Sequence, residues 1–444
     1  MSDSNFTAPV TFGEAFRVWT KIGFLSFGGP AGQIALMHRI LVDEKKWLSE
    51  SQFLHALNFC MLLPGPEAQQ LATYSGWLLH GVKGGLAAGL MFILPGVAVM
   101  LGLSVLYAAY ADLAFVDAIF FGIKAAVFAI VIEALIRISK RAMKQAMLYA
   151  VAGAAFIAIF LFDVPFPLVI AGAALLGFIA MRAGLISASP AGDDEAANDT
   201  ARPMTMRAMA LRSAGTLATG LVLWLGPVAA LIFFLGSGHV LAQQAVFFSQ
   251  MAVVTFGGAY AVLAYVAQEA VQNYGWLSAG EMLDGLGLAE TTPGPLILVL
   301  QFVGYLGAFR AETGLDPAIA GIAGAAVTVW VTFVPCFLWI FLGAPYVERL
   351  RKVESLNVIF MAITAAVAGV ILNLAIWFGL HVLFGEVAER HVSVLRLWVP
   401  DVATLDPWAL VLSIGALVAV LRFKMGMVSV LGLAAALGLA IRFL

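Results

Sequence analysis

The sequence predicts an all-α polytopic membrane protein, with two homologous copies in inverted topology and broken or re-entrant helices at FGG and PGP motifs. Three observations predict this fold class. The chain contains long apolar runs, three of its motifs recur at one fixed offset, and its Lys and Arg residues cluster in a pattern that reverses the second copy.

The composition is that of a chain embedded in a lipid bilayer. Of the 444 residues, 62% are apolar and 11% are charged, whereas about a quarter of the residues in a soluble domain are charged. Runs such as 84–110 and 115–136 are long enough to cross a hydrocarbon core of ~30 Å. Their continuity favours helices over a β-barrel, whose strands alternate over about ten residues. The polar first residues contain no basic stretch followed by an apolar one, so we expect no cleavable signal peptide.

Three motif pairs indicate an internal duplication. SFGGP (26–30) is matched by TFGGA (255–259), KWLSE (46–50) by GWLSA (275–279), and LLPGP (62–66) by TTPGP (291–295). All three pairs are separated by the same distance along the chain, with no gap between them, and matches in one register are strong evidence of a repeat. After a gap, FILPG (92–96) matches TFVPC (332–336) less closely.

The repeat predicts the organisation of the chain. We expect a first copy over 1–186, a cytoplasmic linker over 187–207, a connecting transmembrane helix over 208–238, and a second copy over 239–444. The linker is rich in Ala, Asp and Ser and poor in large apolar residues, which is typical of a solvated segment.

The positions of Lys and Arg predict that the two copies face opposite sides of the membrane. Four basic clusters, near 137–144, 182–212, 349–352 and 422–424, all fall on one side of the predicted spans, and basic loops are cytoplasmic. Five spans then separate the two motif regions, and an odd number inverts the second copy. Inverted repeats are a transporter architecture with the binding site near the membrane midplane.

The PGP motifs predict breaks in helices that are too short to span. Residues 49–63 and 66–81 would each form roughly 22 Å of helix, and Pro interrupts a helix because it has no N–H. Pro is suited to the first turn of a new helix, and a helix N-terminus attracts anions. We therefore expect up to four half-helix N-termini to converge. These would lie at Pro30, Pro66, Pro295 and the Gly257-Gly258 turn.

Two alternatives stay open at this point. The PGP motifs could be kinks or tight turns without a binding role, although a pair at corresponding positions of inverted copies favours a site. The segments 12–41 and 49–81 either re-enter as hairpins or cross the membrane fully. The basic residues Lys45 and Lys46 favour the hairpins.

The predicted site residues surround these breaks. The expected substrate-binding residues are Gly28, Gly29, Pro30, Gln33, Pro64, Gly65, Pro66, Glu67, Gln69, Gln70, Gly257, Gly258, Thr291, Thr292, Pro293, Gly294, Pro295, Lys124 and Arg39. Glu290 and Glu67 are candidates for carrying a coupling proton, because an intramembrane carboxylate is costly and is a functional candidate by default.

Several of these residues also have structural explanations. Glu67 could stabilise the positive end of its half-helix, so Glu290, among apolar neighbours, is the preferred proton carrier. Arg39 could be a cytoplasmic anchor. Lys124 lies inside an apolar run and is harder to explain in that way.

The sequence offers little for an enzyme. Cys60 and Cys336 provide neither metal spacing nor a disulfide framework, and the zinc-protease, nucleophile-elbow, C-x-x-C and dinucleotide motifs are absent from the sequence. We expect no cofactor and no metal, and no basic patch suggests nucleic acid. A homodimer is compatible with the sequence, which shows no evident dimer face.

The motifs resemble the paired signatures of the chromate ion transporter family in its long two-domain form. They are FLSFGGPAGQIALMHR (24–39), KWLS, LPGPEAQQLATYSGW (63–77), TFGGAYAVL (255–263) and ETTPGPLILVLQFVGY (290–305). The resemblance implies export of chromate from the bacterial cytoplasm across the inner membrane, and hence chromate resistance. We expect a secondary active transporter that works by alternating access, with the bilayer and a small inorganic anion as its partners.

Other functions remain as alternatives. A sulfate or general oxyanion carrier is the nearest, because sulfate shares the charge and shape of chromate. A membrane-embedded chromate reductase is disfavoured by the missing cofactor motifs, and a passive channel by the inverted repeat.

Overall fold

Sixteen α-helices and one two-stranded sheet make up the parts of the chain that the structure, a computed structural model, describes: residues 10–185, 206–256, 259–346 and 354–443. In chain order they are α1 (Phe12–Leu25), α2 (Gly29–His38), α3 (Glu50–Cys60), α4 (Glu67–Tyr110), α5 (Ala114–Ala142), α6 (Ala146–Phe162), α7 (Phe166–Arg182), α8 (Met206–Leu235), α9 (Val240–Val254), α10 (Ala259–Gln268), α11 (Ala279–Thr291), α12 (Val299–Arg310), α13 (Pro317–Gly343), α14 (Glu354–Leu383), β1 (Val387–Val392), β2 (Leu395–Pro400), α15 (Pro407–Leu421) and α16 (Met427–Phe443). Short π-helical turns extend α2 and α10, at Arg39–Glu44 and Glu269–Asn273.

The predicted all-α polytopic membrane fold is confirmed. Five helices are long and apolar enough to cross a bilayer: Glu67–Tyr110, Ala114–Lys140, Ser213–Leu235, Pro317–Tyr346 and Ser355–Leu383. Large apolar side chains are exposed along them, Phe233 and Phe234 by 82% and 78%. Such surfaces are stable in lipid and not in water.

The FGG and PGP motifs each lie between two half-helices that pack side by side as a hairpin. In the second copy, a Cβ on Gly285 would lie 2.5 Å from the Phe302 ring. Gly285 and Phe302 are nearly equally far from Gly294 along the chain, one before it and one after it, so the two arms lie side by side. In the same way, the Phe247 and Tyr265 rings, on α9 and α10, are 6.1 Å apart on either side of the TFGGA motif. The segments around the breaks therefore fold back, as the re-entrant alternative predicts.

The first copy repeats this arrangement. Glu14 on α1 and Lys45 beyond α2 form an ion pair of 2.9 Å at the open end of the first hairpin, and the rings of Phe59 on α3 and Tyr74 on α4 are 5.3 Å apart. The capping boxes that begin α3 and α11, at Ser49 and Ser278, also fall at equivalent positions in the register of the repeat.

α4 consists of two segments joined by a sharp turn, which we call α4N (67–79) and α4C (82–110). His80 and Gly81 have non-helical backbone angles, with φ of +60° at Gly81. Beyond the turn the chain reverses, because a Cβ on Gly76 would lie 2.4 Å from the carbonyl oxygen of Gly84. α4N is thus a half-helix, and α4C is the first segment of the described chain that is long and apolar enough to cross a bilayer.

α4C shows that the copies are inverted, because it contacts the hairpins of both in turn. It begins beside Gly76 of the first copy, passes the tip of the second copy where Gly96 meets the carbonyl of Pro293, and ends where Tyr107 binds Asp284 on α11. From Gly84 to Tyr107 this is about 35 Å of helix. The two sets of hairpins therefore meet tip to tip and open toward opposite ends.

α13 mirrors α4C. It contacts Tyr305 of the second copy at Gly321, and then reaches the first copy, where Cys336 lies against Gly65 and Gly343 against Phe59. Gly96 of FILPG and Cys336 of TFVPC thus hold equivalent positions, which supports the less secure of the sequence matches.

A β-hairpin between α14 and α15 was not predicted. β1 and β2 pair antiparallel from Val387↔Pro400 to Val392↔Leu395. Arg396 anchors it, with its side chain bonded to Asp163 at 2.6 Å and to the carbonyl of Ile159 at 2.8 Å. The Val and Trp residues of 387–400 are typical of strands, but the segment is too polar to stand out as an apolar span.

The predicted linker, 187–207, lies outside the described residues except for its last two. α8 (Met206–Leu235) occupies most of the segment expected to be a connecting helix.

Candidate functional site

The four hairpin tips are joined across the two copies by a reciprocal pair of backbone hydrogen bonds. The N–H of Gly65 donates to the carbonyl of Thr255, and the N–H of Gly294 donates to the carbonyl of Ser26, both at 2.8 Å. The two donors are equivalent residues of the two copies, and so are the two acceptors. Each PGP tip is therefore fastened to the FGG tip of the other copy, and the motifs of both copies meet at one place in the fold.

Glycine is required at these tips. Gly28 and Gly29 have φ of +85° and +71°, Gly65 of +128° and Gly294 of +89°. Side chains rarely adopt these angles because Cβ crowds the carbonyl. The space is also filled, since a Cβ on Gly65 would lie 2.8 Å from Nε2 of Gln70.

The prolines begin half-helices nearly as predicted. Pro30 lies in the first turn of α2 and Pro66 is the residue just before α4N begins at Glu67. Pro295 instead precedes a short 3-10 turn, Leu296–Leu298, before α12 begins. The fourth predicted N-terminus, at Gly257 and Gly258, lies outside the described residues.

Among the tip half-helices whose starts the structure describes, none has a side-chain cap, whereas the half-helices that start at the open ends do. α1, α3, α9 and α11 are capped by Thr11, Ser49, His239 and Ser278. No side chain caps α2, α4N or the turn after Pro295. The first N–H groups of a helix have no partner within the helix, so these N–H groups at the described tips lie where the copies meet and depend on partners outside their own helix.

Two glutamines hold the tips in place. Gln33 on α2 donates from Nε2 to the carbonyl of Gly294 at 2.6 Å and to that of Ser26 at 3.3 Å. Gln70 on α4N donates to the carbonyl of Pro64 at 2.7 Å. Both are fully buried, and their Oε1 atoms have no partner in the part of the chain that the structure describes. Buried acceptors without a protein partner are typical of hydrated sites.

Gln69 and Gln301 show the same pattern nearby. Gln69 donates to the Thr73 hydroxyl and Gln301 to the carbonyl of Val97 on α4C, both at 3.0 Å. Each again leaves Oε1 without a partner among the described residues. Gln301 thus ties the second copy's half-helix to the long helix of the first.

Glu290 lies one turn before the second PGP tip and is almost completely buried. The Tyr260 hydroxyl of α10 donates to Oε1 at 2.5 Å, while Oε2 has no partner within the described ranges. Thr291 and Thr292 return their hydroxyls to the carbonyls of Leu288 and Ala289. These two threonines therefore cap the end of α11 rather than offering their hydroxyl protons to a ligand.

Lys124 lies away from the tips, in a polar cluster that sequence reasoning missed. Its Nζ is 3.4 Å from Oδ1 of Asp284 on α11, and the Tyr107 hydroxyl donates to Oδ2 at 2.7 Å. Asp284 precedes Pro293 by more than two helical turns. An acidic residue in an apolar helix is the signal that could have revealed Asp284.

Two other predicted residues lie where their structural explanations place them. Arg39 is exposed near the open end of the first hairpin and is 3.6 Å from Glu44, as suits an anchor. Glu67 is half-buried in the first turn of α4N, beside its positive end.

Comparison with known proteins identifies the family. A family model described as "Chromate transporter" matches residues 13–178 and 242–439, which include both copies of the motifs. This chain belongs to the chromate transporter family. The resemblance that the motifs suggested is confirmed, and the two matched regions correspond to the two copies seen in the fold.

Several relatives match over most of their length. A chromate transport protein of Pseudomonas aeruginosa is 31% identical over 369 residues, 82% of this chain and 80% of the relative. One of Cupriavidus metallidurans is 28% identical over 370 residues, 82% of each chain. A probable chromate transport protein of Synechococcus elongatus is 28% identical over 367 residues, 82% of this chain and 83% of the relative. No solved structure matches the chain significantly.

Proposed function

We propose that this member of the chromate transporter family is a secondary active transporter that exports chromate across the bacterial inner membrane and so confers chromate resistance. One observation carries the proposal: uncapped half-helix N-termini meet at tips that reciprocal bonds join between inverted copies. The relatives named above add the substrate. The proposed boundaries of the copies are 1–186 and 239–444.

Recognition of the anion would rest on backbone N–H groups. The N-termini of α2 and α4N carry positive partial charge, and their first N–H groups are not bonded within the helix. A tetrahedral dianion presents several acceptor oxygens, which donors from more than one helix can satisfy. Arg39 and Lys124 are left out of this recognition, since carboxylates already pair with both.

Alternating access would use the contacts that connect each copy to the other. The tip of the second copy contacts α4C at Gly96, and the tip of the first copy contacts α13 at Cys336. Backbone and small side chains make these contacts, which suits rocking of one copy against the other around a fixed site.

Glu290 would carry a coupling proton. It is buried beside the tip, one carboxylate oxygen has no partner among the described residues, and Tyr260 holds the other. The charges of Arg137 and Glu133 on α5 act on it electrostatically. Since α5 ends in the basic cluster assigned to the cytoplasm, Arg137 and Glu133 would lie on the cytoplasmic side, from which exported chromate would enter.

Export is favourable in a cell that is negative inside. Each negative charge that leaves gains ~2.3 kcal/mol per 100 mV. Efflux of a dianion could thus be driven by the potential alone or by exchange with protons, and variants of Glu290 distinguish the two.

The test is uptake of labelled chromate into everted membrane vesicles, with excess sulfate as competitor. Energised uptake that tolerates sulfate is the expected result. Uptake abolished by sulfate would indicate a general oxyanion carrier, and no uptake above that of empty vesicles, with folded protein, would contradict the proposal. Joint replacement of Pro64→Ala and Pro66→Ala should abolish uptake if the broken helix forms the site.

A further inference from the structure

A groove of about 470 Å³ lies between the long apolar helices α5 and α14 and the shorter apolar helix α6, away from the hairpin tips. Its floor consists of small residues, Ala152 and Gly153 on α6 and Ala368 and Gly369 on α14. The helices touch there backbone to backbone, because a Cβ on Gly369 would lie 2.1 Å from the carbonyl oxygen of Ala152. A Cβ on Gly153 would meet no atom within 4 Å, so the space above the floor is open.

The groove fits within one membrane leaflet. It begins at Lys140, near the end of α5, and at Tyr149, in the first turns of α6, and it ends near Phe156. From Tyr149 to Phe156 is about 10 Å of helix, and one leaflet contributes about half of a ~30 Å hydrocarbon core. Its lining is almost entirely apolar below Lys140, as an acyl chain requires.

The mouth of the groove is strongly basic. Residues 134–162 include Arg137, Lys140, Arg141 and Lys144 and contain no Asp or Glu. Arg137 pairs with Glu133 at 3.3 Å, whereas Lys140 lines the groove and Lys144 is exposed just beyond it. Cationic side chains above an apolar channel complement a negatively charged headgroup attached to a hydrocarbon chain.

We propose that this groove binds one anionic phospholipid of the leaflet on the side of the basic loops. An acyl chain lies against Gly153 and Gly369, and the headgroup phosphate pairs with Lys140 and Lys144. The occupant is a lipid rather than a free anion, because the apolar channel gives a free anion nothing to bind. The proposal is independent of the transported substrate.

Native mass spectrometry of the full-length protein, delipidated in detergent and titrated with phosphatidylglycerol or phosphatidylcholine of equal chain length, tests this. We expect one phosphatidylglycerol to bind in preference to phosphatidylcholine. Lys140→Gln should weaken phosphatidylglycerol binding about fivefold, from the ~1 kcal/mol that a Lys near an anionic surface contributes, and leave phosphatidylcholine unchanged. Gly153→Leu should fill the groove and abolish retention of that lipid.

Gly172→Leu is the matched control. Gly172 is also a helix-interior glycine whose Cβ would meet nothing within 4 Å, but it lies on α7, outside the groove. The Gly172→Leu variant should bind phosphatidylglycerol as the unmodified protein does. Thermal unfolding of each variant confirms that it is folded. Equal binding of both lipids, or unchanged binding by Gly153→Leu, would overturn the proposal. So would a dimer that Gly153→Leu dissociates, because a second copy would then cover the groove.

Discussion

The backbone N–H of Gly65 binds the carbonyl of Thr255 at 2.8 Å, and at the equivalent positions of the repeat Gly294 binds back in the same way to Ser26. These bonds exchange partners between the copies, so neither hairpin tip is completed by its own repeat. A substrate held among the tips would contact both copies at once, which is what alternating access around a shared site needs.

Gly65→Ala should abolish transport and destabilise the fold. The new Cβ would be forced into a φ of +128° and would lie 2.8–2.9 Å from Gln70 and Cys336, at a cost of roughly 1–2 kcal/mol for the backbone alone. Vesicle uptake and thermal unfolding measure the two effects. Gly102→Ala, where a Cβ has open space, is the control. Full uptake by Gly65→Ala would show that the tip tolerates another conformation.

Gln33→Leu should lower stability by about 1–3 kcal/mol, because the carbonyl of Gly294 loses its donor inside the protein. Gln33→Glu should be at least as harmful, since an ionised carboxylate cannot donate to a carbonyl. Denaturation in detergent measures both. Gln243→Leu, near the start of α9, is the control. An equal loss of stability in this variant would mean that the effect of Gln33→Leu is not specific to the tips.

Lys124 and Asp284 should behave as a pair. Lys124→Gln and Asp284→Asn should each destabilise the protein, because each leaves a poorly solvated charge beside a neutral partner. The double variant should recover part of the loss, and a double-mutant cycle on unfolding free energies measures the coupling. Additive losses would contradict the pairing. Recovery of stability without recovery of transport would assign the pair a role beyond structure.

Glu290→Gln should remove the dependence of chromate flux on a pH gradient while leaving the flux that the membrane potential drives. The amide keeps the shape of the side chain but carries no exchangeable charge. Tyr260→Phe, which removes the hydrogen bond to Oε1, should shift the pH profile without flattening it. Chromate uptake into vesicles at fixed membrane potential and varied internal pH distinguishes the two variants. An unchanged profile in Glu290→Gln would exclude its proton role.

The sequence predicts the architecture better than it predicts the contacts. The breaks at Pro66 and Pro30 follow from the covalent chemistry of proline, and the fixed spacing between the paired motifs follows from duplication. Both can therefore be predicted without a structure. The reciprocal hydrogen bond between Gly65 and Thr255 could not be predicted from the sequence, because its donor and acceptor are backbone groups, which every residue carries. The partner of Lys124 lies on α11, in the other copy, and spacing along one helix cannot reveal a contact between helices so distant in the chain.

The same holds for the predicted site residues: their positions near the tips could be predicted, but their hydrogen-bond partners could not. Gln33 is predicted as a substrate-binding residue because it follows Pro30, but its hydrogen bond to the other copy's tip depends on packing between the two copies, which the sequence does not show. Thr291 and Thr292 looked available for a ligand, but they satisfy carbonyls at the end of their own helix. Local competition of this kind is common for Ser and Thr beside a helix terminus.

The reciprocal bonds also bear on the ancestry of the molecule. A solitary repeat would leave the amide of its PGP glycine without the partner that the other copy supplies, and an unsatisfied group at membrane depth costs several kcal/mol. If the copies once existed as separate polypeptides, two of them inserted in opposite orientations would have been needed to complete each other's tips.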